Sequence, residues 1–187
     1  DISVGSAMAL GAVLAALGIV HQSPLLIILS IVLVIAFGCL AGVAVSKFAI
    51  LPMVVSLALR YVMRGMARGI SGAANVTYSA PKMTAFFTQP VIGQVPVHFF
   101  ILLAAVIVIY VVVNKMKLGA RIEAYGNNPV AARNCGINTV KIVIFCYAIT
   151  AALSWMAGML EAAVVSSAHP TTIGSDMEID AIAAALI

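Results

Sequence analysis

Charge is what this chain has least of. Only 9% of its 187 residues are Asp, Glu, Lys or Arg, and 64% are hydrophobic. A soluble domain is nearer a quarter charged, so this composition excludes a chain that folds by itself in water. No charge occurs between Asp1 and Lys47, between Lys82 and Lys115, or between Lys141 and Glu161. A helix rises about 1.5 Å per residue, so about 20 residues cross a hydrocarbon core of about 30 Å. Each gap is long enough for a span.

Cysteine is also scarce. Cys39, Cys135 and Cys146 are far apart and form no CxxC, which argues against disulfide and metal roles. His21, His98 and His169 are scattered and make no ligand set. Paired catalytic carboxylates, a Ser-His-Asp order and a P-loop are missing. No catalytic residue, metal or cofactor is therefore expected on this chain. If the protein does energised work, the ATPase is on another chain.

The net charge of +4 does not point to nucleic acid. The basic residues cluster in loops beside apolar runs, the pattern of membrane proteins whose positive loops stay inside. The chain opens on Asp1 without a signal peptide and closes on a short apolar run, residues 181–187. The expectation is one all-α, polytopic transmembrane domain over 1–187, an internal piece of a longer protein.

About five spans and the start of a sixth are predicted. The first covers Ile2 to Val20, and His21-Gln22-Ser23 makes a polar turn before Pro24 opens the second, which Lys47 closes. A third helix runs from Pro52 to about Gly69. Ser71 to Val97, with Pro81, Pro90, Pro96, Gly72 and Gly93, reads as a long irregular segment. A span from His98 to Asn114 precedes a basic loop, and the fifth span runs from Val140 to about Val165. A sixth begins at Ala181.

Between Lys115 and Lys141 the chain holds five basic residues against Glu123 alone, so that side is expected to be cytoplasmic. Alternation then places Asp1 and Lys47 inside, and His21, Ser71–Val97 and Asp176–Asp180 outside. Small residues recur at four-residue spacing: Gly38 with Gly42, Gly65 with Gly69, Ala7 with Gly11 and Ala15, and Ser154 with Gly158. Such pairs let helices approach closely in lipid.

Three places carry polar chemistry. Arg60, Arg64 and Arg68 form one ridge on the third helix. With Lys47 at the inner interface, Arg60 lies about 20 Å and Arg68 about 32 Å up. Arginine at that depth faces a cavity or a partner, or else snorkels to the headgroups. Asp176, Glu178 and Asp180 read as a solvated loop leading into a helix N-terminus. Trp155 sits mid-span, as packing or as a cavity wall.

The third place is the polar island Arg121–Ile137. Asn128 can cap, Pro129 suits a first helical position, Val130–Asn134 make little more than a turn, and Gly136 can stop it. A short helix that buries little of its own is expected to touch something else.

Three segments resemble the inner-membrane permeases of bacterial ABC sugar importers, the ribose/galactose/xylose/arabinose group that includes autoinducer-2 permeases. Asp1–Leu10 (DISVGSAMAL) is similar to the family's DLSVGSxxAL, Tyr125–Ile137 to GxNPxAAxxxGI, and Glu178–Ala184 (EIDAIAA) to ELDAIAA. Family members commonly have Gly-Gly-Asn or Gly-Ser-Asn where this chain has Gly126-Asn127-Asn128. They mostly have one arginine in the third helix, matching Arg64; Arg60 and Arg68 are extra.

The resemblance implies a transmembrane subunit that moves a sugar or small polyol across the bacterial inner membrane. It implies three protein partners: an ABC ATPase, a second permease subunit, and a periplasmic or lipid-anchored sugar-binding protein. Within the cytoplasmic loop 115–139, the expected ATPase-coupling residues are Gly126, Asn127, Asn128, Pro129, Ala131, Ala132, Arg133, Gly136 and Ile137, with Ala131 and Ala132 keeping the helix slim enough to enter a cleft. Arg64 and Trp155 are candidates for the translocation path. A self-contained secondary transporter is the alternative; it needs acidic residues at mid-membrane, and the inferred span interiors hold none. A structural membrane protein is the other, and it gives no reason for the capped helix.

Overall fold

The computed structural model describes residues 1–92 and 94–186, with backbone alone at Lys82, Met83, Val91 and Ile92. Gly93, expected in the irregular segment, and Ile187, expected in the sixth span, lie outside the described residues. Helices α1 (Val4–Val20), α2 (Pro24–Phe48) and α3 (Pro52–Ser71) come first. Strand β1 (Val76–Thr77), helix α4 (Pro81–Thr88) and the pair β2 (Pro90–Ile92) and β3 (Val95–Pro96) follow. Then come α5 (Val97–Lys115), α6 (Lys117–Asn127), α7 (Pro129–Asn134), α8 (Thr139–Val165), β4 (Ser167–Ala168) and α9 (Met177–Leu186).

Local chemistry sets many of these boundaries. Pro24, Pro52, Pro81 and Pro129 each open a helix, where the missing N–H costs nothing and the fixed φ suits the first turn. Gly72 ends α3 in the left-handed region at φ +63, which glycine enters without a Cβ clash.

Helix α1 is the centre of the core, buried along most of its length among α2, α3 and α8. Leu10 and Val13 on α1, Val34 on α2 and Met63 on α3 share one buried cluster. Glycines set the close approaches around it. A Cβ at Gly158 of α8 would overlap the Met8 carbonyl of α1. A Cβ at Gly38 or Gly42 of α2 would come within 2.8 Å of Tyr147 O or 2.5 Å of Ile144 Cα on α8. Those small-residue positions pack as expected. Gly65 and Gly69 do not: nothing lies within 4 Å of a Cβ at either. Four-residue spacing marks a smooth ridge but does not say whether a helix faces it.

Three helices, α2, α5 and α8, are long and apolar enough to cross a membrane. Helix α1 is apolar but shorter, and α3 carries three arginines in its 20 residues. The all-α membrane bundle holds, while the expected span boundaries need several corrections. Ser71–Val97 is not irregular. It contains β1, α4 and the β2–β3 hairpin, and β1 pairs antiparallel with β4, Val76 opposite Ala168. The basic loop is mostly helical, because α6 precedes the short helix that was expected alone. Helix α9 starts at Met177, four residues before the expected sixth span.

The β1–β4 ladder puts 76–77 and 167–168 at one end of the bundle, and Thr84 Oγ1 and Ser166 Oγ, 2.5 Å apart, fix α4 there. Lys47, Arg133 and Thr139 line one cleft, which puts them together at another. The start of α1 departs from the alternation. Gly5 lies in backbone contact with Gly174, so Asp1 does not sit across the membrane from the 166–176 segment. Alternation assumes that every apolar run crosses, and a short, almost wholly buried helix need not.

Candidate functional site

Helix α7 is built as its sequence predicts. Asn128 is extended, at φ −157 and ψ 101, and its Oδ1 accepts from Val130 N and Ala131 N at 3.0 Å each. Those are two of the amides that a helix start leaves without partners. At the other end Cys135 N donates to Ala131 O, Gly136 N to Arg133 O and Ile137 N to Ala132 O. Gly136 turns the chain at φ +79. Asn138 then caps α8 through Lys141 N. Two capped starts ten residues apart hold α7 and α8 as a fixed corner.

The faces of α7 differ from expectation. Ala132 is 4% exposed and packs inward, so it is not free to enter a partner's cleft. Val130 is 70% exposed and stands outward, with Ala131 and Arg133 also exposed. Val130 was not among the expected coupling residues. Its signal was an apolar residue in a helix outside the spans, but a six-residue helix is too short for periodicity to choose its buried face. Gly126 and Asn127 are the last residues of α6 rather than loop, and Ile137 is half-buried in the corner.

The arginine ridge divides three ways. Arg64 is half-buried, and its Nη1 donates to Ile173 O at 2.6 Å and to Pro170 O at 3.2 Å. Arg60 Nη2 lies 2.7 Å from Glu178 Oε1. Arg68 is exposed near the end of α3. Glu178 is 1% exposed, which overturns its expected solvated place, whereas Asp176 and Asp180 are exposed. The Arg60 approach is an ion pair without hydrogen-bond alignment, and neither carboxylate oxygen has a hydrogen-bond partner among the described residues. A Cβ at Gly5 would come within 2.5 Å of Glu178 Oε2, so glycine there leaves room for the carboxylate. A short carboxylate in an apolar helix reads as a helix-start charge; its partner lay more than a hundred residues upstream, where no local pattern could show it.

Trp155 is half-buried and closes a gap between helices. Its Nε1 donates to Ser30 Oγ on α2 at 2.8 Å, and its ring lies where a Cβ on Gly11 of α1 would fall. Nearby, Tyr78 OH donates to Ala162 O at 2.8 Å, and burial pushes the phenol pKa up, keeping it a donor.

The model of one family, the branched-chain amino acid transport system / permease component, matches residues 1–187. The chain belongs to this permease family. Among curated relatives, the permease is 32% identical to the fructose import permease protein FruF of Bifidobacterium longum over 192 residues. It is 32% identical to the galactofuranose transporter permease protein YtfT of Escherichia coli over 189 residues. It is 31% identical to the ribose import permease protein RbsC of Haemophilus influenzae over 193 residues. Each comparison covers all of this chain but only 54%, 55% and 59% of the relative. The permease chain thus spans a little over half the length of these relatives. No solved structure matches it.

Proposed function

We propose that this permease is part of the membrane subunit of an ATP-binding-cassette importer. It moves a sugar, or a related small polyol, across the bacterial inner membrane, and a separate ATPase subunit hydrolyses the ATP. The relatives named for fructose, galactofuranose and ribose support the substrate class. The observation that carries the reading is α7, a doubly capped helix outside the long spans that turns an apolar side chain, Val130, away from its own body.

In this reading residues 115–139 are cytoplasmic and α7 docks on the ATPase through Val130, Ala131 and Arg133. Asn128, Pro129 and Gly136 set its shape, and Gly126 and Asn127 lead into it. Arg64 and Trp155 belong to the wall of the translocation path rather than its lumen, because Arg64 Nη1 and Trp155 Nε1 already donate to protein acceptors. A second permease subunit and a periplasmic or lipid-anchored sugar-binding protein complete the assembly.

The test is Val130→Asp in the full-length permease. Uptake and co-purification with the ATPase should both fall while the amount in the membrane stays normal. Parental uptake and co-purification would remove α7 as the coupling element.

A further inference from the structure

Two clefts meet at the corner between α7 and α8. The larger, about 450 Å³, has Ser46 and Lys47 from the end of α2 on one side and Arg133 and Thr139 from the corner on the other. The smaller, about 220 Å³, shares Ile137 and Asn138 with it and adds Arg121 and Lys141. Four cationic side chains thus surround one turn of chain. No carboxylate lines either cleft. Among the described residues none of the four is ion-paired.

All four are exposed, and an anion seated among them gains attraction from each. We infer that the cleft between Lys47 and Arg133 binds the phosphate of an anionic phospholipid headgroup. A phosphate offers several acceptor oxygens to the Arg133 guanidinium, the Lys47 ammonium and the Thr139 hydroxyl.

Free phosphate shares that chemistry, but the surroundings favour a lipid. Lys47 lies at the end of a 25-residue apolar helix and Thr139 at the start of a 27-residue one, so the cleft opens where two spans leave the hydrocarbon. Apolar side chains border the cations: Phe48, beside Lys47, is 72% exposed, and Leu118 and Phe145 wall the smaller cleft. A cationic cleft with an apolar margin fits a headgroup and its acyl chain together. Basic pockets between helices at an interface bind anionic lipids in this way.

The test needs neither ATPase nor transport, so its failure is separate from failure of the importer reading. The permease is purified from vesicles of equal phosphatidylglycerol and phosphatidylcholine, and the retained lipid is counted by native mass spectrometry. Each basic side chain at a headgroup is worth roughly fivefold in affinity, so phosphatidylglycerol should be retained by at least that factor. Lys47→Gln with Arg133→Gln should bring retention near parity, and Lys115→Gln with Lys117→Gln should leave it unchanged. These four positions are exposed, so folding is not at stake. Equal loss in both double variants would mean a diffuse field and overturn the site. Phosphate adducts in phosphatidylcholine alone, abolished by the first pair without any lipid preference, would assign a free anion and overturn the lipid. No preference for phosphatidylglycerol in the parent would overturn the lipid site as well.

Discussion

Arg60 and Glu178 meet inside the bundle, Nη2 to Oε1 at 2.7 Å, with the carboxylate side chain 2% exposed and the guanidinium side chain 34% exposed. The pair joins α3 to α9. Because its acid is almost wholly desolvated, losing the cation costs more than losing both charges.

Arg60→Met should therefore destabilise the protein by about 2–3 kcal/mol; the figure of about 3–5 kcal/mol for a fully buried pair is trimmed by solvent at the arginine. Arg60→Met with Glu178→Leu should recover most of the loss. Thermal unfolding in detergent reads both. A double variant as unstable as the sum of its singles would show that the charges do not compensate each other.

Arg64 holds the 170–173 turn through two carbonyls, and among the described residues Arg68 holds nothing comparable. Hydrogen bonds to a charged donor contribute about 1.5–3 kcal/mol. Arg64→Leu should lower the melting temperature clearly, and Arg68→Leu should change it little. Equal and small effects would mean that Arg64 is solvated in the membrane protein.

These arginines show what the sequence could and could not reveal. Depth along an apolar helix is one-dimensional, so it was legible that Arg64 either meets a partner or cavity or snorkels to the headgroups. Which partner it finds depends on a turn more than a hundred residues away. Likewise Asn128-Pro129 and Gly136 announce a capped short helix by local chemistry alone. That Ala132 faces in and Val130 faces out is decided by the packing of α7 on the corner, which no six-residue pattern encodes. Proline marked the starts of α2, α3 and α7 because its effect is local, whereas Pro81, which opens α4, reads from sequence as part of an irregular segment. Hydropathy marked α1 as apolar but could not show that it is buried almost entirely in protein, because a hydropathy pattern does not distinguish lipid from protein surroundings.

The buried alanine sets the third prediction. Ala132→Trp has no space inside the corner and should reduce folded yield, measured by gel filtration of the detergent-solubilised protein. Val130→Trp, on the open face, should leave yield unchanged. The reverse order would place Ala132 outside.

Glycines separate in the same manner. Gly158→Leu should abolish folding, because the Met8 backbone occupies the space, while Gly65→Leu should be tolerated. Membrane-integrated yield tells them apart. Equal tolerance would mean that α1 and α8 are not in contact in the membrane.

The fifth prediction concerns sidedness. Cysteines at Asn127 and Ser175, both exposed, should react with an impermeant thiol reagent from opposite faces of a sealed vesicle. A cysteine at Asp1 should follow Ser175, since Gly5 touches Gly174. Asp1 following Asn127 would contradict that contact.

Helix α8 runs 27 residues without proline, about 40 Å, from the capped corner to the Ser166 turn. Its near end is seated under α7, and its far end presents the Ala162 carbonyl to Tyr78 and Gly158 to Met8. Midway, Trp155 pins it to α2. Such a rod does not absorb a push by bending. A tilt imposed on the corner would be passed through these contacts to α1, to α2 and to the segment around Tyr78. What ties this rod to its neighbours is close packing at Gly38, Gly42 and Gly158 and the Tyr78 and Trp155 hydrogen bonds, not any charge.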